Sequence, residues 1–370
     1  MIPYLICFAF IFSMFTQTVK DIALENAVDN KKLNKTAFIL FSALLILLLS
    51  LKHDYVGTDT QNYRYMFSNL KSANIIRIID ITPTSEFGFY YFSHFLASNG
   101  IAFRGLLFIQ AVFVVCVFSA IIYRHSKMPW VSWFLYMTLG FFIFYTTMRQ
   151  CFALSFTLLA SECMRKNKLL LYLLFCAVAV SFHNTALVFV PIYWVYKMKY
   201  NKFTIFLFIA LFVAVTVSAP TLMRVFTEII EKDRYEQIAT RGYITFLLYF
   251  SMVVFGVLNR KIIQDNPDTR FFFYMMGMVL VMFPLFQINP ALSRIWIYFS
   301  VYIVLYVPNM CALIENRHIS TIILAAIVLY GLISFFYKAN QSTRVLPYVF
   351  FWQEYPSELI PLGILPAGGF

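Results

Sequence analysis

The stretch Leu169–Tyr196, with the sequence LLLYLLFCAVAVSFHNTALVFVPIYWVY, decides the fold of this protein. Its 28 residues include no Asp, Glu, Lys or Arg, and its only basic side chain is that of His183. A membrane-spanning helix needs about 20 apolar residues, so the stretch is too long for one helix and suits two short ones. A break at His183 frees backbone groups, which a bilayer tolerates only where they line a cavity or are buried in protein. The stretch therefore predicts two short membrane helices with a polar junction between them.

The composition of the whole chain places it in a lipid environment. Of its 370 residues, 61% are hydrophobic and 12% are charged, whereas soluble domains are about 45–50% apolar and about 25% charged. This excludes a soluble enzyme, a secreted disulfide scaffold and a disordered regulator. The net charge of +12 fits cytoplasmic loops and anionic lipids better than nucleic acid. The six cysteines lie in or beside apolar segments without metal-ligand spacing, so we interpret them as small core residues.

Hydropathy predicts an all-α polytopic membrane protein with about twelve transmembrane or partly spanning helices, three of them short. The candidate segments are 1–19, 36–51, 105–123, 129–147, 150–163, 169–182, 184–196, 203–218, 244–258, 271–288, 295–313 and 320–337. The first of these segments has neither a basic n-region nor a small-residue cleavage site. We therefore interpret it as a span rather than a removed signal peptide.

Short basic loops give the predicted orientation. Lys and Arg are concentrated in four of them, 124–128, 164–168, 197–202 and 259–270, and such loops are typically cytoplasmic. All four lie on one side only if the N-terminus is outside and residues 86–100 form a re-entrant or interface-lying helix. The loops 52–104 and 219–243 then lie outside. We expect one transmembrane domain over residues 1–340, these two loops included, and an outer C-terminal tail over 341–370.

Basic side chains at the outer ends of apolar segments are the first candidates for function. Arg149 lies between two apolar runs, and a membrane-depth arginine is costly unless it is paired or hydrated. The alternative for Arg149 and Arg294 is that they snorkel or anchor helix ends at the interface. His183 is either a functional donor or base or a satisfied core histidine. Arg241 is a weaker third arginine candidate, in a loop whose acidic residues also suit a solvated helix face.

A dense polar stretch, Lys52–Tyr63 (KHDYVGTDTQNY), follows the second predicted span. Gly57 permits a tight turn, and Asp59 and its threonine neighbours suit a helix cap. Capping alone does not explain so many polar groups at the membrane surface, and Glu86 adds a further carboxylate. The sequence has no phosphate-binding glycine loop, HExxH motif or CxxC pair, which makes nucleotide hydrolysis and metal proteolysis unexpected.

These motifs, in this order, resemble the EpsG family of bacterial exopolysaccharide proteins, within the wider Wzy-type polysaccharide polymerases. The resemblance covers residues 30–350 approximately and differs from the common pattern at Lys52 and Phe87, where family members often have Arg and Pro. It is carried by Gly57-Thr58-Asp59-Thr60 with Tyr63 and Phe67, Glu86-Phe87-Gly88-Phe89, Met148-Arg149-Gln150, Phe182-His183-Asn184-Thr185-Ala186 with Pro191, and Ser293-Arg294 with Tyr298-Phe299.

The resemblance implies a GT-C-like glycosyltransferase of the bacterial inner membrane, active at the periplasmic face, for O-antigen, lipopolysaccharide, capsule or exopolysaccharide synthesis. Such an enzyme transfers a growing glycan from undecaprenyl diphosphate to the non-reducing sugar of a second lipid-linked repeat unit. It implies no metal or other cofactor and no nucleic acid. The implied partners are the two lipid-linked oligosaccharides, membrane lipids and a chain-length regulator protein.

The implied chemistry assigns roles to the candidate residues. Arg149 and Arg294 are expected to clamp the diphosphate through paired hydrogen bonds, and Asp59 or His183 is expected to take the acceptor proton. Further expected substrate contacts are Arg241, Tyr63 and Glu86.

Other function classes remain open from the residues alone. An O-antigen ligase would use the same chemistry with a lipid A core as acceptor. A lipid-linked oligosaccharide flippase or other transporter would also have about twelve spans, although no inverted repeat is visible. A membrane O-acyltransferase is a further alternative.

Overall fold

A computed structural model describes residues 1–23, 35–71, 86–140, 143–230, 242–288, 293–341 and 344–356. These residues form helices and connecting turns, and the only strand-like pairing among them is one antiparallel bridge between Lys52 and Phe350. The helices are α1 (Ile2–Ala23), α2 (Lys35–Ser50), α3 (Thr60–Leu70), α4 (Phe87–Ser98), α5 (Phe103–His125), α6 (Pro129–Leu135), a π-helix (Tyr136–Gly140), α7 (Ile143–Thr146), α8 (Met148–Arg165), α9 (Leu169–Phe182), a 3₁₀-helix (Asn184–Phe189), α10 (Ile192–Lys197), α11 (Lys202–Ile230), α12 (Tyr243–Leu258), α13 (Arg260–Asp265), α14 (Pro267–Ile288), α15 (Ser293–Ser300), α16 (Ile303–Leu313) and α17 (Arg317–Gln341).

Five helical segments in the described part of the chain are long and apolar enough to cross a membrane, which is consistent with a polytopic membrane protein. They are Phe103–His125, Lys202–Thr221, Pro267–Gln287, Arg294–Leu313 and Arg317–Ala339. Four shorter apolar helices accompany them: Ile2–Thr16, Lys35–Ser50, Leu169–Phe182 and Tyr243–Leu258. The predicted count of about twelve is not confirmed.

Three predicted segments are not single helices, and one of them, 295–313, is divided into α15 and α16 at residues 301–302. The segment 129–147 is divided into α6, the five-residue π-helix and α7. The segment 184–196 consists of a 3₁₀-helix and the six-residue α10, separated at Pro191, whose ring removes a backbone donor. The helix α9 ends at Phe182, and His183 has an extended backbone with φ −157° and ψ 118°. The chain therefore does break at His183, but only the first half of the stretch is one regular apolar α-helix, 14 residues long.

The helix α5 joins two polar ends of the molecule, and its 23 residues are about 35 Å long at 1.5 Å per residue. At the end that we call the His125 end, His125 lies 2.6 Å from Glu162, and Arg165 lies 2.9 Å from Asp268. These bonds join the basic loops 124–128, 164–168 and 259–270. At the opposite end, which we call the Lys52 end, Arg104 donates to the Lys52 carbonyl at 2.6 Å.

The helix α4 packs against α3, α5 and α9 at the Lys52 end. Its 12 residues are about 18 Å long, which is shorter than the roughly 30 Å hydrocarbon core of a bilayer. The helix is therefore too short to cross the membrane.

Residues 344–356 pack back onto the end of α2 and the turn that follows it. The Gly57 N–H donates to the Arg344 carbonyl at 3.0 Å, and the His53 N–H donates to the Val349 carbonyl at 2.7 Å. The Tyr348 hydroxyl donates to the Leu48 carbonyl at 2.8 Å. We call residues 344–356 the C-terminal clasp, because they hold the turn that precedes α3.

Candidate active site

The turn between α2 and α3 is fixed by a buried lysine. Lys52 is only 2% exposed, and its ammonium donates to Thr60 Oγ1 at 2.9 Å and to the Tyr145 carbonyl at 2.7 Å. Burial lowers the pKa of Lys52 to about 7. Gly57 has φ +92° and packs against the Tyr145 backbone so closely that no Cβ fits. The turn is thereby held against the chain that leads into α8.

Asp59 occupies the N-cap position of α3, but its carboxylate makes no capping hydrogen bond. Burial raises the pKa of Asp59, and the positive charges of Arg294, Arg149 and Lys52 oppose that rise. None of the described basic residues forms an ion pair with Asp59. The carboxylate therefore lies within electrostatic reach of three cations and is bound to none of them.

Glu86, directly before α4, joins Arg149 and His183. Its carboxylate accepts hydrogen bonds from Arg149 Nη1, from His183 Nδ1 and from the backbone N–H of Asn184. Burial alone would raise the pKa of Glu86, but the His183 hydrogen bond and the Arg149 charge lower it below its usual value. Arg149 is thus paired with a carboxylate that lies 63 positions earlier in the chain.

The partly buried Arg149 is also bordered by aromatic rings. Its guanidinium carbon lies 5.9 Å from the centre of the Tyr63 ring, within cation–π range, and Tyr63 packs edge-to-face on Phe89. Arg149 Nε and His183 Nε2 are buried and have no hydrogen-bond partner among the described residues. Buried polar atoms are normally paired, so these two atoms are uncommon in a folded protein and available to a ligand.

Arg294 lies on the first turn of α15, next to the start of α8. The Gln150 side-chain amide donates to the Arg294 carbonyl at 2.7 Å, which fixes the two helix starts together. The Arg294 side chain lines a cavity of about 440 Å³, and no carboxylate of the described chain lies within ion-pair distance of it. Arg149 does not line this cavity. The rise in the pKa of Asp59 is thus opposed by two arginines, of which Arg294 lines the cavity and Arg149 is paired with Glu86.

The structure brings six of the seven candidate residues to the Lys52 end: Asp59, Tyr63, Glu86, Arg149, His183 and Arg294. Arg241 lies outside the described residues. Sequence reasoning did not select Lys52, Gln150 or the pair of Asp54 with Arg104, which lie 2.9 Å apart. The only sequence feature that could have indicated one of these residues is the position of Lys52, five residues before Gly57. The contacts of Gln150, Asp54 and Arg104 depend on the tertiary fold.

Comparison with known proteins gives one match. No curated protein and no solved structure matches this chain. The model of the EpsG family matches residues 35–350, a range that includes every candidate residue and most of the chain. The chain therefore belongs to the EpsG family, a family of Wzy-like polysaccharide polymerases.

Proposed function

We propose that this protein is a metal-independent, lipid-linked glycosyltransferase that polymerises repeat units at the periplasmic face of a bacterial inner membrane. It moves a growing glycan from undecaprenyl diphosphate to a hydroxyl at the non-reducing end of a second lipid-linked repeat unit. The observation that carries the proposal is the state of Asp59, which takes the N-cap position without capping and faces three cations without pairing.

The proposed reaction uses the acid and the cations together. The acceptor hydroxyl oxygen bonds to the anomeric carbon of the donor sugar while Asp59 accepts its proton. The bond from that carbon to the diphosphate oxygen breaks, and its electron pair stays on the diphosphate. Arg149 and Arg294 stabilise the growing negative charge. Preorganised contacts of this kind are worth about 3 kcal/mol each.

Glu86 and His183 support Arg149 in this proposal. Glu86 holds one guanidinium nitrogen and is itself held by His183 Nδ1, which limits the directions in which Arg149 can point. His183 Nε2 has no hydrogen-bond partner among the described residues; it donates to a phosphate or sugar oxygen when the ring is protonated and accepts from a sugar hydroxyl when the ring is neutral. Because His183 Nδ1 is engaged by Glu86 whereas the Asp59 carboxylate has no ion-pair partner among the described residues, Asp59 is the proposed base.

The proposed orientation follows from the distribution of charge. The basic loops 124–128 and 164–168 meet at the His125 end, and basic loops favour the cytoplasm. The Lys52 end, with the candidate residues, then faces the periplasm, where lipid-linked repeat units are polymerised. Bilayer lipids and a chain-length regulator are the proposed partners beside the two substrates.

The test is the variant Asp59→Asn in purified protein supplied with a lipid-diphosphate glycan. We expect polymerisation to be abolished and donor binding to be retained, because the amide keeps the shape but cannot accept the proton. His183→Ala is expected to lose both, since Glu86 and Arg149 lose their support. Asp265→Asn, the same change at an exposed position of the His125 end, is the control. Polymerisation by Asp59→Asn at the unmodified rate would remove Asp59 from the mechanism.

The acceptor distinguishes the polymerase from the alternative functions. Extension of a lipid-linked repeat unit in detergent supports a polymerase, whereas transfer only to a lipid A core indicates a ligase. A flippase would move the lipid across a vesicle membrane without forming any glycosidic bond.

A further inference from the structure

The cavity beside Arg294 is lined by several helices of the bundle. Its walls come from α5, α7, α8, α12, α14, α15, α16 and α17, together with the π-helix. Its volume of about 440 Å³ is in the range of small-molecule sites, roughly 300–1,000 Å³. Along α15 and α16 the lining residues run from Arg294 to Val304, which is about 15 Å at 1.5 Å per residue. The cavity therefore extends along these two helices from Arg294 to Val304.

Two cations lie in the wall of this cavity at the Lys52 end. One is Arg294, at the start of α15. The other is Lys338, in the last turn of α17, a few residues before Arg344, whose carbonyl binds the Gly57 N–H. Among the described lining residues there is no Asp or Glu. This end of the cavity therefore presents two basic side chains and no acidic one among the described lining residues.

The deeper part of the cavity is apolar. Its lining includes Phe118 on α5, Leu154 on α8 and Val304 on α16, each well inside its apolar segment. Aromatic rings make up much of the wall, among them Trp296 and Phe286, whose ring centres are 5.7 Å apart. A ligand that fills the cavity must have an anionic head and an apolar body aligned with α15 and α16.

We infer that this cavity holds the diphosphate and the first isoprene units of the polyprenyl-diphosphate donor, and that Lys338 is a binding residue for the diphosphate. The inference rests on the proposed function and adds the location of the donor site and a further basic residue, Lys338, which lines the cavity together with Arg294. A diphosphate fits better than a single phosphate because it presents several oxygens to two separate cations. The glycan then extends from the diphosphate toward Asp59. Among the positive charges near Asp59, that of Arg294 lowers its pKa the most.

The binding of undecaprenyl diphosphate without a glycan tests whether the charge of Lys338 contributes to the affinity. We expect Lys338→Gln to weaken binding about tenfold and Lys338→Arg to restore most of it, because the positive charge is kept. Lys71→Gln, which removes an exposed lysine at the same end of the molecule, is the matched control and is expected to bind normally. Equal affinity of Lys338→Gln and unmodified protein would overturn the assignment of Lys338.

A second variant tests whether the lipid occupies the cavity, and it leaves Arg294 and Lys338 unchanged. Gly140 lines the cavity, and a Cβ added to it meets no atom of the described residues within 4 Å, its chain neighbours aside. Gly140→Leu should therefore fold and place its side chain in the cavity, so we expect weaker binding of undecaprenyl diphosphate. Unchanged binding by Gly140→Leu would place the lipid elsewhere.

Competing ligands identify the occupant. Added undecaprenyl diphosphate should displace bound undecaprenyl diphosphate. Inorganic pyrophosphate and phosphatidylglycerol should not displace it at equal concentration. Displacement by phosphatidylglycerol would make the cavity a site for bilayer lipid and overturn the inference. Failure of the unmodified enzyme to polymerise, with Lys338-dependent binding intact, would instead refute the proposed function alone. The binding assay can be made with Asp59→Asn protein, so it does not depend on turnover.

Discussion

Gly57→Ala is the sharpest test of how the turn before α3 positions Asp59. Gly57 has φ +92°, in the region that disfavours L side chains by about 1–2 kcal/mol. An added Cβ would lie 2.9 Å from both the Tyr145 carbonyl carbon and Thr60 Oγ1, and closer still to the Tyr145 oxygen. Normal van der Waals contact begins at about 3.4 Å, so the turn must move away from Tyr145.

The expected size of the effect follows from that movement. Relief of the contact with the Tyr145 oxygen requires a shift on the order of 1 Å, and a misplacement of that size can cost about 10²-fold in rate. Asp59 is two residues from Gly57 and moves with it. We therefore expect polymerisation to fall about 100-fold.

The control is Gly100→Ala, which separates backbone strain from the clash. Gly100 also has a positive φ, +78°, but a Cβ added there meets no atom of the described residues within 4 Å, its chain neighbours aside. Both variants carry the backbone cost, and only Gly57→Ala displaces the turn. The assay is the rate of glycan ladder formation by purified protein at matched folded amounts. Equal activity of the two alanine variants would refute the reasoning.

Three further predictions concern the charges of the site and their orientation. Arg149→Lys and Arg294→Lys should each lower polymerisation about 10- to 100-fold without loss of membrane insertion, because a point charge replaces a two-pronged donor; normal ladder lengths at equal protein level would make both arginines anchors. Burial raises the pKa of Asp59 above 3.8, and the charge of Arg294 opposes that rise, so the activity should fall on acidification at a pH above 3.8. Arg294→Gln removes the opposing charge and should move this fall in activity to higher pH. A fall at the same pH in both proteins would contradict the assignment of Asp59 as the base. In a cysteine-free background, Asn99→Cys should be labelled from the periplasm of intact cells and Asn167→Cys only after the inner membrane is opened; labelling of Asn167→Cys in intact cells would reverse the orientation.

The sequence predicted the features that depend on local composition. The ends of α9 and α12 lie within one residue of the predicted 169–182 and 244–258, because an uninterrupted apolar run stays helical in lipid until a polar group or turn ends it. The segment 129–147 was predicted incorrectly because hydropathy does not distinguish an α-helix from a π-helix. The interruption at Tyr136–Gly140 leaves the average hydropathy unchanged.

The grouping of side chains was harder to predict than the spans. The sequence identified Glu86, Arg149 and His183 separately as costly or unusual residues. It did not show that one carboxylate joins the other two, since that contact depends on how α4 packs against α9. Lys338 was not selected because one lysine near the end of an apolar helix is typical of an interfacial anchor.

The C-terminal clasp makes the turn before α3 depend on a segment that is synthesised much later. Residues 344–356 follow residues 48–57 by almost 300 positions, yet they supply backbone acceptors to both His53 and Gly57. Contacts between such distant parts of a chain form late, because the ordering of the intervening chain must come first. During synthesis and insertion, α2 and α3 reach the membrane long before the clasp exists. We therefore expect Asp59 to take its final position only after α17 is inserted. A ribosome-bound or truncated chain should then lack transferase activity, even when Arg149, His183 and Arg294 are already in the membrane.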